Sequence, residues 1–246
     1  MEKILILAVL ILMMQNTNAQ IITTGDSSFK YRIKLVESFM ERFNNDTNML
    51  PLFDQMMFGT NSKDKVEAEE FSKAALKSGV KIQFADTNWF AIAPCTGKFK
   101  GKSIDFMLIL NVEKYDKDQY KWVVAKAQGE IFKLTPPDNN TMITPLAHEN
   151  NFMELGRIVS QSILNISQKN YHLDETTVFF ALYNSGLLTI EYVSNLQFMF
   201  LQVPGYVFIV TEFDRETKNS GWLINSIAKK NDVEKKKLLN DLYHKK

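Results

Sequence analysis

The sequence predicts an α+β protein in which helices pack on curved antiparallel sheet. Three observations predict it. Apolar residues recur every third or fourth position over 29–43 and again over 152–166. The period changes to two between 80 and 132, and again between 188 and 228. A stretch rich in Pro and Asn, 136–147, separates two runs with the same order of helix, helix and strands.

Phe29, Ile33, Val36, Phe39, Met40 and Phe43 form one stripe and predict a helix over 28–44, with Asp26, Ser27 or Ser28 as its cap. A second helix is expected over 62–78, stopped by Gly79. Between them, Met49–Phe58 is rich in Met and Phe and contains Pro51. It reads either as a loop or short helix covering the core or as a lid over a pocket, because Met adapts to irregular apolar surfaces. Strands are then expected at 80–84, from Trp89 to Ala93, at 103–114 and at 120–132. On the third of these Ile104, Phe106, Leu108, Leu110 and Val112 share a face. The four strands predict a meander with one face on the helices and the other partly wet.

The second run predicts a helix over 149–167 and another capped by Asp174 and ended by Gly186. Strands are expected at 188–193, 196–203, 206–213 and 222–228, and a charged helix at 232–243. An overlay of 104–128 on 204–228 aligns Ile109 with Ile209 and Trp122 with Trp222. The units expected are 28–135 and 148–229, joined by the linker 136–147 and followed by a charged tail, 230–246. Two similar halves are one form of this fold, and a single continuous domain is the other.

Residues 1–19 carry a charged start at Glu2 and Lys3, an apolar run from Ile4 to Met14, and a small residue, Ala19, after a polar stretch. That is the order of a cleavable signal peptide. A helix of that run spans roughly 16 Å, about half the hydrocarbon core, so a permanent membrane span is not expected. The expectation is export to a bacterial periplasm or the exterior. The single cysteine, Cys95, makes no internal disulfide, so stability rests on an ordinary core. The chain is 45% hydrophobic with eighteen Phe, too apolar for disorder. A net charge of +1 gives no reason to expect nucleic acid as a partner.

Few residues offer chemistry. His148 beside Glu149 fits a general base, and equally Glu149 fits a helix's first turn. His148, His172 and His244 have no metal-ligand spacing, and no cofactor motif is present. Cys95, after Pro94, reads as a buried core thiol. Asp105 alternates with Ile104 and Phe106, so it lies on the opposite face, as a solvated group or as a base inside a cavity. Trp89, Tyr120, Trp122 and Tyr206 are candidates to line an aromatic pocket, or to be core. Lys229, Lys230, Lys235, Lys236, Lys237, Lys245 and Lys246 make a basic end that reads as a solvated helix or as contact with an anionic surface.

The order of helices before a long-stranded meander, with the Phe-rich first helix, resembles the nuclear-transport-factor-two-like superfamily over 28–135 and, more loosely, 147–229. The segment Asn219-Ser-Gly-Trp-Leu-Ile224 is also similar to uncharacterised exported bacterial proteins. The resemblance implies a cone-shaped sheet around an apolar cavity. Enzymes of that superfamily place an Asp, His or Tyr inside the cone, and no residue here matches such a position. Three functions are therefore expected: a non-enzymatic module binding a small apolar ligand or a protein partner, a cone enzyme for proton transfer or dehydration, or a structural subunit of an envelope or conjugation apparatus.

Overall fold

The structure is a computed structural model and describes residues 27–58, 62–116, 119–134, 167–168, 173–216 and 219–243. The expected leader, the linker 136–147, almost all of the helix expected at 149–167, and His148, His172 and His244 lie outside the described residues.

Helix α1 is Ser27–Asn45. A 3₁₀ turn at Leu50–Leu52 and a short helix α2, Gln55–Phe58, follow. Helix α3 is Ser62–Ser78 and ends where Gly79 takes φ +61°, a left-handed conformation that closes a helix with little strain only at glycine. Three strands come next: β1, Trp89–Phe99, β2, Lys102–Asp116, and β3, Gln119–Gln128. Helix α4, Glu175–Asn184, is capped by Asp174, which accepts the Thr177 N–H at 2.7 Å. Strands β4, Leu188–Val193, β5, Gln197–Phe200, β6, Tyr206–Phe213, and β7, Gly221–Lys229, precede helix α5, Asp232–Tyr243.

The strands form one open antiparallel sheet in the order β3-β2-β1-β5-β6-β7, with β4 beside the far end of β1. The fold is therefore α+β, and strands from both sides of 136–147 share the sheet. The β2–β3 and β6–β7 hairpins are of one construction, and β1 and β5 lie between them. In the first, Ile109 pairs with Lys126 and Leu110 with Val124, leaving Ala125 as an extra residue. In the second, Ile209 pairs with Ser226 and Val210 with Ile224, leaving Asn225 extra. Val112 faces Trp122 as Glu212 faces Trp222. Each bulge adds local twist and bends its hairpin.

The helices pack crosswise. Helices α1 and α3, from the first half, contact β7, and α4, from the second half, contacts β3. One core joins them: Phe39 and Phe43 of α1 meet Phe200 and Phe208, and Phe71 of α3 meets Phe208 and Tyr206. On the other flank Phe106, Phe132 and Phe179 pack together.

Three expectations need correction. Residues 80–84 form no strand, so the first meander has three strands rather than four. The Asn44 side chain takes both backbone groups of Ile82, donating Nδ2 to its carbonyl and accepting its N–H on Oδ1, each at 2.8 Å, in place of a strand partner. Second, the strand expected to reach Phe132 ends at Gln128, and a 3₁₀ turn at Glu130–Phe132 folds the Phe132 ring back into the core. Third, α5 is more than a solvated end. Leu238, Leu239 and Leu242 cover Phe90, Ile109, Met199, Leu201 and Val207 on the second face of the sheet. Lys235 is buried there and donates to the carbonyls of Leu201 at 2.8 Å and Val203 at 2.5 Å. Burial holds its ammonium below the usual lysine range.

Candidate functional site

The segment Met49–Phe58 lies over the β7 flank and shapes an open cleft of about 320 Å³. Pro51 sets the 3₁₀ turn, whose fixed φ and missing N–H suit a helix start. Met49, Leu52 and Phe53 point into the core and anchor the segment. Leu50, Pro51, Gln55, Met56 and Met57 are exposed. The cleft's apolar wall comes from Leu50, Pro51, Phe53 and Phe58 on one side and Ala68 of α3 on the other. Phe53 holds the wall rigid through edge-on contacts with Phe58, at 5.1 Å, and Phe71, at 5.8 Å. Next to the lining, Met56 and Met57 are exposed.

A polar clasp fastens this wall to the sheet. The Asp54 side chain, 3% exposed, pairs with the Arg215 guanidinium and also accepts the Met56 N–H at 2.9 Å. Arg215 Nε donates to the Asn219 carbonyl at 2.8 Å. The Asn219 side chain is fully used: Nδ2 donates to the carbonyls of Phe53 at 2.6 Å and Pro51 at 3.2 Å, and Oδ1 accepts the Gln55 N–H at 3.2 Å. The Asp54 N–H donates to the Ile224 carbonyl at 2.9 Å. A buried charge paired this way loses much if one partner is removed.

Asn48, Gln55 and Lys65 supply the cleft's polar lining. Asn48 Oδ1 accepts the Leu50 N–H at 3.1 Å, and its NH₂ is a further donor. Among the described residues no carboxylate pairs with Lys65.

The residues singled out from the sequence are placed elsewhere. Asp105 is exposed on β2, opposite Thr96, and accepts the Thr96 hydroxyl at 2.7 Å. Trp89 has no exposed surface: its ring stacks on Phe200 at 5.4 Å and meets Trp122 edge-on at 4.9 Å. Tyr206 packs against Phe71 at 5.4 Å, and Tyr120 is exposed opposite Lys114. Trp89 and Trp122 thus share a filled aromatic cluster, apart from Tyr120 and from the cleft. Cys95 is buried, and burial pushes its thiol up to about 12. Among the described residues no three His, Cys, Asp or Glu are placed to hold a metal ion. No described helix is long and apolar enough to cross a membrane.

The sequence pointed to the cleft only through the Met- and Phe-rich run. Lys65 and Ala68 carry no local signal, because their role appears only when α3 packs beside that run. Arg215 and Asn219 were equally silent, since a turn before a buried strand explains their sequence without any contact to 51–55.

The chain matches no known family model, no curated protein and no solved structure.

Proposed function

We propose that this protein is a non-enzymatic binding module that takes a small apolar ligand in the cleft between Met49–Phe58 and α3. The observation that carries the reading is the wall itself. Leu50, Pro51 and Phe58 face a cleft of about 320 Å³, backed by the buried Phe53 and Ala68. That volume is near the lower end of small-molecule sites, roughly 300–1,000 Å³. The clasp at Asp54, Arg215 and Asn219 keeps the wall in place without a ligand, which lowers the ordering cost of binding.

The test is a fluorescence titration with the uncharged probe N-phenyl-1-naphthylamine. Saturable binding is expected, and Gln55→Trp, which fills the cleft from an exposed lining position, is expected to remove it. Saturable binding that Gln55→Trp leaves unchanged sinks the reading, as does no binding.

The order of charges and apolar residues in 1–19 supports export of this module from a bacterial cytoplasm. Mass spectrometry of the protein recovered from outside the cytoplasm is expected to show a chain beginning at Gln20. Recovery of the intact chain from the cytoplasm alone would contradict it.

A further inference from the structure

The polar groups at the cleft are unbalanced, and the imbalance names the ligand's chemistry. We infer that the cleft takes an apolar molecule carrying one anionic group, of the carboxylate or sulfonate class, with Lys65 as its counter-charge. The inference rests on the binding reading above and adds the charge of the ligand.

Lys65 offers three donors and no acceptor, and no carboxylate among the described residues takes them. Asn48 Oδ1 already accepts the Leu50 N–H, and the amide also offers its NH₂. Of the wall's carbonyls, those of Pro51 and Phe53 already accept from Asn219 Nδ2. Asp54, beside Phe53 and Gln55, is turned away from solvent and held by Arg215. Asp64, Glu67 and Glu69 neighbour Lys65 and Ala68 along α3, and among the described residues none of them pairs with Lys65. Gln55 brings one acceptor, coupled to two donors of its own. The side chains left free in the cleft therefore ask for an acceptor, and the cation favours a charged one. The apolar wall asks for an aromatic or short aliphatic body. A neutral apolar molecule would leave the exposed Lys65 ammonium to water and gain nothing from it. A second anion would find no second lysine in the lining.

Two probes with the same body separate this inference from the reading it rests on. They are 1-anilinonaphthalene-8-sulfonate and its uncharged parent, N-phenyl-1-naphthylamine, titrated against the full chain by fluorescence. The anionic probe is expected to bind about tenfold more tightly, the worth of one charge-assisted hydrogen bond. Lys65→Gln is expected to remove that advantage and to leave the uncharged probe within about twofold. Lys77→Gln, at an exposed lysine in the last turn of the same helix, is expected to change neither. If both probes bind and are displaced by Gln55→Trp, but Lys65→Gln changes neither, the anion assignment is overturned and the cleft stands. A loss of sulfonate binding in Lys77→Gln equal to that in Lys65→Gln also overturns it, because the charge would then act non-specifically. If neither probe binds, the cleft reading itself fails.

Discussion

Trp122 lies opposite Val112 and Trp222 lies opposite Glu212, so the two indoles hold the same register position in two hairpins of one construction. The Phe198 ring touches both, with centroids 6.2 Å from Trp122 and 5.0 Å from Trp222. Phe198 faces Ala91 across β1 and β5, the pair about which the two hairpins are arranged. A large ring opposite a small side chain fills the middle of the sheet once. We predict that Phe198→Ala destabilises the protein by about 3–5 kcal/mol, the range for a fully buried Phe. Urea unfolding followed by tryptophan fluorescence measures it. A loss below about 1 kcal/mol would show that the two hairpins do not depend on this contact.

The cross-packing of helices leads to a second prediction. The fragment 28–135 keeps α1 and α3 but loses β7, on which they pack, and loses β5, which covers one edge of β1. It is expected to remain unfolded or to aggregate, as judged by circular dichroism and by the absence of a cooperative thermal transition. A cooperative transition in the isolated fragment would contradict the crosswise core.

Gly97 sits where β4 comes closest to β1. A Cβ at this position would run into the Thr189 carbonyl oxygen and press on the Phe106 ring. The pairing shifts register between Thr96 and Gly97, so the backbone is already irregular there. Gly97→Ala is expected to destabilise by about 1–3 kcal/mol, as overpacking does. Hydrogen exchange is expected to accelerate first in β4, at Leu188–Val193. Unchanged protection of β4 would show that the strand does not need the missing side chain.

Much of this architecture was legible in order. The α3 stop at Gly79, the Asp174 cap and the bounds of β4 and β6 follow from local chemistry: a left-handed glycine, a carboxylate before free N–H groups, and clean alternation. What could not be read is non-local. Residues 80–84 alternate as well as β4 does, but the Asn44 side chain, 38 residues away in sequence, takes the backbone groups of Ile82 that a strand would have used. Leu238, Leu239 and Leu242 look like part of a charged tail until the second sheet face is seen to need cover. The cleft needs two segments and a clasp from a third, and no periodicity encodes that meeting.

Cys95 is expected to be inert in the folded protein. Burial raises its thiol from an ordinary 9.0 to about 12, so almost no thiolate forms at pH 8. A thiol reagent at pH 8 should react only after urea is added. The sign of the pH effect follows. The unfolded thiol deprotonates first, so this group's contribution is intact below about pH 9 and is lost as pH rises through about 12. Cys95→Ala is expected to flatten that alkaline loss. Fast reaction of the native thiol would contradict its burial.

The clasp predicts a coupling between the β6–β7 connection and the cleft. Asn219→Ala leaves the carbonyls of Pro51 and Phe53 and the Gln55 N–H without their partner. It is expected to weaken binding of the uncharged probe several-fold. Arg215→Met leaves the Asp54 carboxylate buried and unpaired and is expected to destabilise by about 3–5 kcal/mol. The double change Asp54→Asn with Arg215→Met is expected to recover part of that loss. A double variant as unstable as the sum of the single ones would show that the two groups do not interact.

The most direct measurement is an NMR titration of the isotope-labelled protein with the uncharged probe, read amide by amide. The account predicts saturable shifts concentrated at Leu50, Phe53, Gln55 and Ala68, with the α5-covered face at Phe90 and Ile109 unmoved. Shifts centred on that second face, or none at saturating probe, would contradict it.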